Sequence, residues 1–285
     1  MMSEFESALR KLHAAGKKRF GDEWIQRLER RRAILEGAYA TLYEQDRDPI
    51  AYESLSAQTT YVFAYAPARA EYTRQFLHRH KAAVGGPLFS SANIKVVSFG
   101  GGPASELVGL VRYLEEDADE IVENIEYTIY DKDGEWSEVA SNIIDDLKTD
   151  IEIDAEYIET DVISRTKMNA IDLSGTDMVV FSYIMSELAK LGRNDRIAEN
   201  FRSTLGNMKI GAKILFIDNC HPIFIKFFQS CKLVSGLNQR NDNDDRVECE
   251  FPDFKGTFET LSKALDWTPR TDLRCVSKLI VRTSA

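Results

Sequence analysis

The 285-residue chain is poor in cysteine and histidine, with four of each. Cys220, Cys231, Cys249 and Cys275 all fall in the last quarter, and no two form a CxxC pair. The ligand spacing of a structural zinc site is therefore missing, as is a disulfide framework, and no metal is expected. No apolar run approaches the roughly 18 residues that a membrane-spanning helix needs, so no membrane partner is expected. The N-terminus, MMSEFESALRKLHAAGKK, lacks the apolar stretch and cleavage site of a signal peptide. The expectation is a cytoplasmic protein.

Net positive charge is absent too. The formal charge is −10, which speaks against a nucleic-acid binder that uses its whole surface. The distribution is uneven, with +3 over residues 1–92 and −13 over the rest. A basic segment of this kind can serve an acidic partner, or can be a solvated helix surface. Hydrophobic residues at 44% and charged residues at 29% are ordinary for a globular chain with a large core.

Residues 4–45 read as helix, with Phe5, Leu9 and Leu12, then Trp24, Leu28, Leu35 and Leu42, at three- and four-residue steps or their multiples. Gly16 and Gly21-Asp22 suggest a break, with Asp22 as N-cap, and Pro49 ends the run. A second helix over about 50–63 leads into Tyr61-Val-Phe-Ala-Tyr65-Ala-Pro67-Ala-Arg69. Ala70–Lys81 is again helical, and Gly85-Gly86-Pro87 closes the region. The period then changes. Short apolar runs at 94–99, 125–130, 157–159, 177–183, 213–218 and 275–282 read as strands, with helices at 105–114 and 135–147. Residues 238–245 read as a polar loop, the stretch most prone to disorder. Strands alternating with helices imply a doubly wound, mostly parallel α/β sheet. The division expected is a helical lid or acceptor-binding region at 1–88 and a ligand-binding α/β domain at 89–285.

The chemistry begins at Val96-Val-Ser-Phe-Gly100-Gly101-Gly102-Pro103-Ala104-Ser105-Glu106, a buried strand running through three glycines into a helix. Glycine admits backbone angles that other residues resist and lets a ligand lie against the chain. In a doubly wound sheet this turn sits where ligands bind. The second strand ends at Asp131, and a carboxylate there can accept both ribose hydroxyls of an adenosyl ligand. Asp161 and Val162 follow the third strand, suited to an adenine amino group and ring face. The fourth strand ends Phe181-Ser182-Tyr183-Ile-Met-Ser186-Glu187-Leu188 and opens onto the same side. The GxGxxG fingerprint of NAD enzymes and the GxxxxGK[ST] loop are both absent.

On these motifs, 94–282 resembles the class I S-adenosylmethionine-dependent methyltransferases. The resemblance implies a seven-stranded Rossmann-like sheet with an antiparallel last strand at 275–282. It implies S-adenosylmethionine as cofactor and S-adenosylhomocysteine as product. Gly100, Gly101, Gly102, Pro103, Ala104, Glu106, Asp131, Asp161, Val162 and Ser182 would hold the cofactor. Two positions depart from the family's habit. Ser98 stands where an acidic residue is frequent, with Glu106 as a possible substitute, and Ala104 stands where a third glycine is frequent. The GGGPASE turn and SYIMSEL run also resemble ribosomal-RNA and mitochondrial-ribosome-associated methyltransferases, although the cysteine cluster of the latter is missing.

A sulfonium methyl is already activated, so transfer needs mainly a well-placed acceptor, and a base only if the acceptor must lose a proton. No Asn/Asp-Pro-Pro-Tyr/Phe run and no cysteine follows the fourth strand. Tyr183 and Glu187 are the candidates for proton handling or acceptor orientation. Tyr61, Tyr65 and Arg69 are candidates for acceptor binding by stacking, and Arg27, Arg30, Arg31 and Arg32 for phosphate contact. Three functions fit: methylation of an RNA base, slightly favoured; methylation of a small molecule; or cofactor binding without turnover, as in an assembly factor. Monomer and homodimer both suit a single cofactor pocket.

Overall fold

The computed structural model describes residues 3–44, 48–232, 237–248 and 254–283, with backbone alone at 237–248 and 272–274. Cys249 lies outside the described residues. In chain order come α1 (Ser3–Phe20), a 3-10 turn (Gly21–Glu23), α2 (Trp24–Ala40), α3 (Leu55–Ala64) and α4 (Ala66–Val84). Then follow β1 (Asn93–Phe99), α5 (Ser105–Glu116), β2 (Asn124–Asp131), α6 (Trp136–Asp145), β3 (Glu152–Glu159) and α7 (Arg165–Asn169). Next are β4 (Met178–Ser182), α8 (Ile184–Leu188), α9 (Asn194–Leu205), β5 (Lys213–Asn219) and α10 (Pro222–Cys231). The chain closes with β6 (Leu237–Glu248), α11 (Thr257–Leu265) and β7 (Asp272–Arg282).

The seven strands form one sheet in the order β3-β2-β1-β4-β5-β7-β6. The first five are parallel, and β7 runs antiparallel to β5 and to β6. This is the doubly wound α/β sheet implied by the strand-helix alternation, in the Rossmann-like form implied by the resemblance. The chain leaves β1 on one side towards β2 and β3, and returns on the other through β4 and β5. The crevice at the carboxyl ends of β1 and β4 is therefore the topological switch point, where ligands bind in open α/β sheets.

Both faces of the central strands are buried, as expected of parallel strands covered by helices. Val97, Phe99, Val179, Phe181, Ile214 and Phe216 point into a core shared with α1, α2, α3, α9, α10 and α11. Their neighbours Val96, Met178, Val180, Leu215 and Ile217 point into a second core under α4 and α5. Helices α1–α3 thus complete the core on one side of the sheet and α4 helps to close the other, and their own apolar stripes dictate it: Phe5, Ala8, Leu9 and Leu12 of α1 are all buried.

Several local expectations need correction. Gly16 does not break α1. It lies where the Trp24 indole crosses, and a Cβ there would sit 2.1 Å from Trp24 Cε2. The break falls at Gly21, whose φ of 55° suits glycine, and Asp22 lies inside the 3-10 turn instead of capping α2. The second helix starts only at Leu55, where the Ser54 hydroxyl accepts from the Ala57 N–H, so 50–54 are irregular. Residues 238–245 are not a loop, for their backbone runs in β6 beside β7. Ladder bonds use N–H and C=O groups that every residue but proline carries, so a polar composition does not forbid an edge strand. No helix among the described residues is long and apolar enough to cross a membrane.

Candidate functional site

The turn after β1 is held in a shape only a few residue types adopt readily. Gly100, Gly102 and Ala104 have φ of 68°, 44° and 63°. A Cβ at Gly100 would stand 2.8 Å from Ile184 Cδ1, so glycine is required there on two counts. Ala104 holds the left-handed conformation at the start of α5, which explains why related turns favour glycine at this point. The Gly100 N–H donates to the Tyr130 carbonyl at 2.7 Å, which ties the turn to β2.

Asp131 ends β2 beside this turn. Its Oδ2 accepts from the Gly102 N–H and its Oδ1 from the Asp133 N–H, both at 3.0 Å. Each carboxylate oxygen has lone-pair capacity for a second donor, so the group is fixed yet still able to bind. Burial pushes its pKa up to about 6, against the pull of those two backbone bonds. Beyond β3, the Thr160 N–H donates to the Asp131 carbonyl at 2.6 Å. Asp161 is exposed, with Oδ1 accepting from the Ile163 N–H at 2.9 Å, while Val162 is buried.

At the end of β4 the chain turns through Tyr183, φ 57°, into α8. Asp218, fully buried on β5, fastens that helix: its Oδ2 accepts from the Ser186 N–H at 2.9 Å, and its Oδ1 from the Asn219 N–H at 2.7 Å. Burial pushes this carboxyl up to about 6 as well. Glu187 follows on α8. The Tyr52 hydroxyl donates to its Oε1 at 2.9 Å, and the Tyr52 and Tyr39 oxygens are 2.8 Å apart. Burial pushes Glu187 up to about 7, although the bond from Tyr52 opposes the rise.

The glycine turn, Asp131, the 160–162 segment, Tyr183, Tyr52 and Glu187 face one cavity of about 860 Å³, its mouth included. Its sheet side is Gly100, Gly102, Pro103, Asp131, Thr160, Asp161, Val162, Ser182 and Tyr183. Its other side is Pro49, Ile50, Tyr52, Tyr61, Trp136, Glu187, Leu188 and Leu191. Tyr52, Tyr61 and Trp136 form a mutual cluster with ring centroids 5.4–6.0 Å apart. The Lys132 ammonium holds the Ile50 carbonyl at 3.1 Å, and Asp133 accepts from the Tyr52 N–H at 3.3 Å. The segment before α3 is thereby pinned to the β2 end.

Other residues picked out from the sequence lie behind the walls. A Cβ at Gly101 would point at Ser98 Oγ, 2.8 Å away, beneath the turn. Ser98 itself is fully buried, and Glu106 is buried behind Ser182, whose hydroxyl faces it. Tyr65 packs on Tyr39, Tyr61 and Trp267. Arg69 lies over the Tyr183 ring, whose hydroxyl faces the Cys275 thiol away from the cavity. Of the four arginines in 27–32, Arg27 pairs with Glu23 and covers Phe20, and Arg32 binds Glu36 and the Leu265 carbonyl. Arg31 is half-buried, and of the four Arg30 alone is exposed.

Sequence reasoning missed Tyr52, Trp136, Lys132 and Asp218. Trp136 had a signal, being the first aromatic after Asp131, whereas Tyr52 follows a proline in an irregular stretch and carried none. Among the described residues no group of three His, Cys, Asp or Glu could hold a metal ion. The glycine turn, the anchored Asp131 and the crevice at the switch point fit an adenosyl cofactor.

No curated protein matches the chain. Among solved structures, it resembles an O-methyltransferase family protein from Burkholderia thailandensis at 11% identity and a TM-score of 0.48, covering 93% of this chain and 74% of that one. A SAM-dependent methyltransferase from Methanosarcina mazei matches at 9% identity and a TM-score of 0.42, covering 69% and 96%. The N-methyltransferase NodS from Bradyrhizobium japonicum, crystallised with S-adenosyl-L-homocysteine, matches at 12% identity and a TM-score of 0.39, covering 74% and 99%. Residues 11–198 match the family described as "Putative SAM-dependent methyltransferase". The match takes in α2–α4, the glycine turn, Asp131, Asp161 and the β4 end, and the chain belongs to this family: it is a class I methyltransferase whose cofactor is S-adenosylmethionine.

Proposed function

We propose that this methyltransferase acts on a small planar molecule with an ionisable hydroxyl or ring N–H, held against Tyr52, Tyr61 and Trp136. The observation that carries this reading is the aromatic recess with Glu187 in its wall. Aromatic walls with one convergent polar group are the usual form of a small-ligand pocket. The arginines of 27–32 lend little to an RNA surface, because Arg27 and Arg32 pair within the fold and Arg31 is half-buried, which leaves Arg30 exposed.

In this reading S-adenosylmethionine supplies an activated methyl group. The chain's residues do the rest. Asp131 accepts the ribose hydroxyls, Thr160, Asp161 and Val162 receive the adenine, and the turn at 100–104 lets the ligand approach the backbone. Glu187 takes a proton from the acceptor, and a group titrating at about 7 is well matched to that work near neutrality. Tyr52 orients it. Tyr183 presents its ring to the cavity while its hydroxyl faces Cys275, so the proton falls to Glu187. The helices of residues 1–88 serve as the acceptor-binding cover.

The test is transfer of labelled methyl from S-adenosylmethionine to a panel of aromatic alcohols, heterocycles and amines, beside total RNA at low and high salt. The reading predicts product with small aromatic acceptors and little dependence on salt. Salt-sensitive labelling of RNA alone would sink it.

A further inference from the structure

Behind the cavity wall lies a buried cation, Arg69, with side-chain N–H groups that the described residues leave without an acceptor. It projects from α4, is only 4% exposed, and has Nε and Nη1 buried without an acceptor. Among the described residues it has no carboxylate within ion-pair distance. Its surroundings are aromatic and polar: the guanidinium lies over the Tyr183 ring, and the Tyr61 hydroxyl faces it. Both rings line the cavity, so the cation sits directly behind that wall. Burial opposes its charge, while Tyr183, Tyr61, Tyr39 and Glu106 sustain it. A buried guanidinium with unused N–H groups is costly unless an anion completes it.

We infer that Arg69 is the receptor for a carboxylate entering the cavity, whose oxygens replace the Tyr61 hydroxyl beside the guanidinium. The planar fork of arginine matches a carboxylate with two parallel bonds. A monoanion fits better than a phosphate, because Asp131, Asp133 and Glu187 already crowd the cavity with acidic groups. The inference rests on the methyltransferase assignment, and two carboxylates can answer it. One is the amino-acid end of the cofactor, with Ser182 and the buried Glu106 nearby as partners for its ammonium group. The other is a carboxylate carried by the acceptor.

Calorimetric titration of the full chain separates these sources. The probes are S-adenosylhomocysteine and 5′-methylthioadenosine, which shares the nucleoside and sulfur but lacks the amino-acid end. If the cofactor supplies the carboxylate, wild type prefers S-adenosylhomocysteine by roughly ten- to a hundredfold, the range of charge-assisted hydrogen bonds. Arg69→Met then brings that ratio close to one and leaves methylthioadenosine binding unchanged, which also shows that the variant folds. If the acceptor supplies it, the ratio survives the substitution. Protein saturated with S-adenosylhomocysteine then binds benzoate in preference to benzamide, and Arg69→Met abolishes that preference. Should Arg69→Met fail to fold, Arg69→Lys, which keeps charge without the fork, must weaken whichever preference wild type shows. Wild type showing neither preference, or variants keeping both, would overturn the inference alone. Wild type binding neither nucleoside would instead bring down the cofactor assignment, and this proposal with it.

Discussion

On the sheet side of the cavity, the carboxylates are pinned by the main chain. Asp131 is gripped by the Gly102 and Asp133 N–H groups, and the turn at 100–104 is set by backbone angles and the Gly100 bond to Tyr130. On the opposite side the groups that face the ligand are side chains. Tyr52, Tyr61, Trp136 and Glu187 come from an irregular segment, α3, α6 and α8, and meet one another through hydroxyl–carboxylate and ring contacts. A backbone cradle suits a ligand that every relative shares, since it tolerates changes around it. A side-chain wall suits a ligand that differs between relatives, since single substitutions can reshape it.

Substitutions on each side sharpen this contrast. The largest effect is expected at Glu187: Glu187→Gln should lower kcat by about 10²–10⁴, the usual worth of a positioned base. Cofactor affinity should hardly change, as calorimetry on the same preparation would show; a loss of cofactor binding would mean that the two sides are not separable. Asp131→Ala should do the reverse, weakening cofactor binding by roughly ten- to a hundredfold through the loss of charged hydrogen bonds. Retention of full affinity would show that the carboxylate only braces the turn.

Tyr52→Phe tests the wall through its pH dependence. Glu187 must be ionised to accept a proton, so the rate should fall as pH drops through about 7. The Tyr52 hydroxyl stabilises the ionised form, so removing it should move this acid limb to higher pH and lower kcat by about tenfold, one hydrogen bond's worth. An unmoved limb would separate Tyr52 from the proton step. The smallest effect concerns the cradle. Ala104→Gly should relieve a left-handed alanine and stabilise the chain by about 1 kcal/mol, read as a rise of roughly 2–4 °C in Tm. A fall in Tm would show that glycine's extra freedom in the unfolded chain outweighs the relief.

Much of the sheet side was legible because its signals are local. Strand, glycine turn, helix and strand-end aspartate follow one another within a few dozen residues, and each reflects a backbone requirement. The N-terminal helices, the edge strand and the opposite wall were harder to read. Gly16 has the look of a helix breaker, but it is a packing contact whose partner, Trp24, becomes visible only once α1 and α2 cross. Residues 238–245 have a loop's composition and a strand's pairing, because β7 offers them a ladder. Tyr52 sits in no regular element, and its link to Glu187 spans 135 positions of sequence.

By itself the sequence determined the alternation of strands and helices, the turn at 100–104 and the acidic strand end at Asp131. These follow from periodicity and allowed backbone angles, which act over a few residues. Only the tertiary structure decided that the N-terminal helices share the sheet's core. It also drew Tyr52 to Glu187 and buried Arg69 behind Tyr61 and Tyr183, with Nε and Nη1 lacking an acceptor among the described residues. Those outcomes depend on which apolar faces meet and which polar groups are shut away from water. Neither quantity exists until distant segments pack.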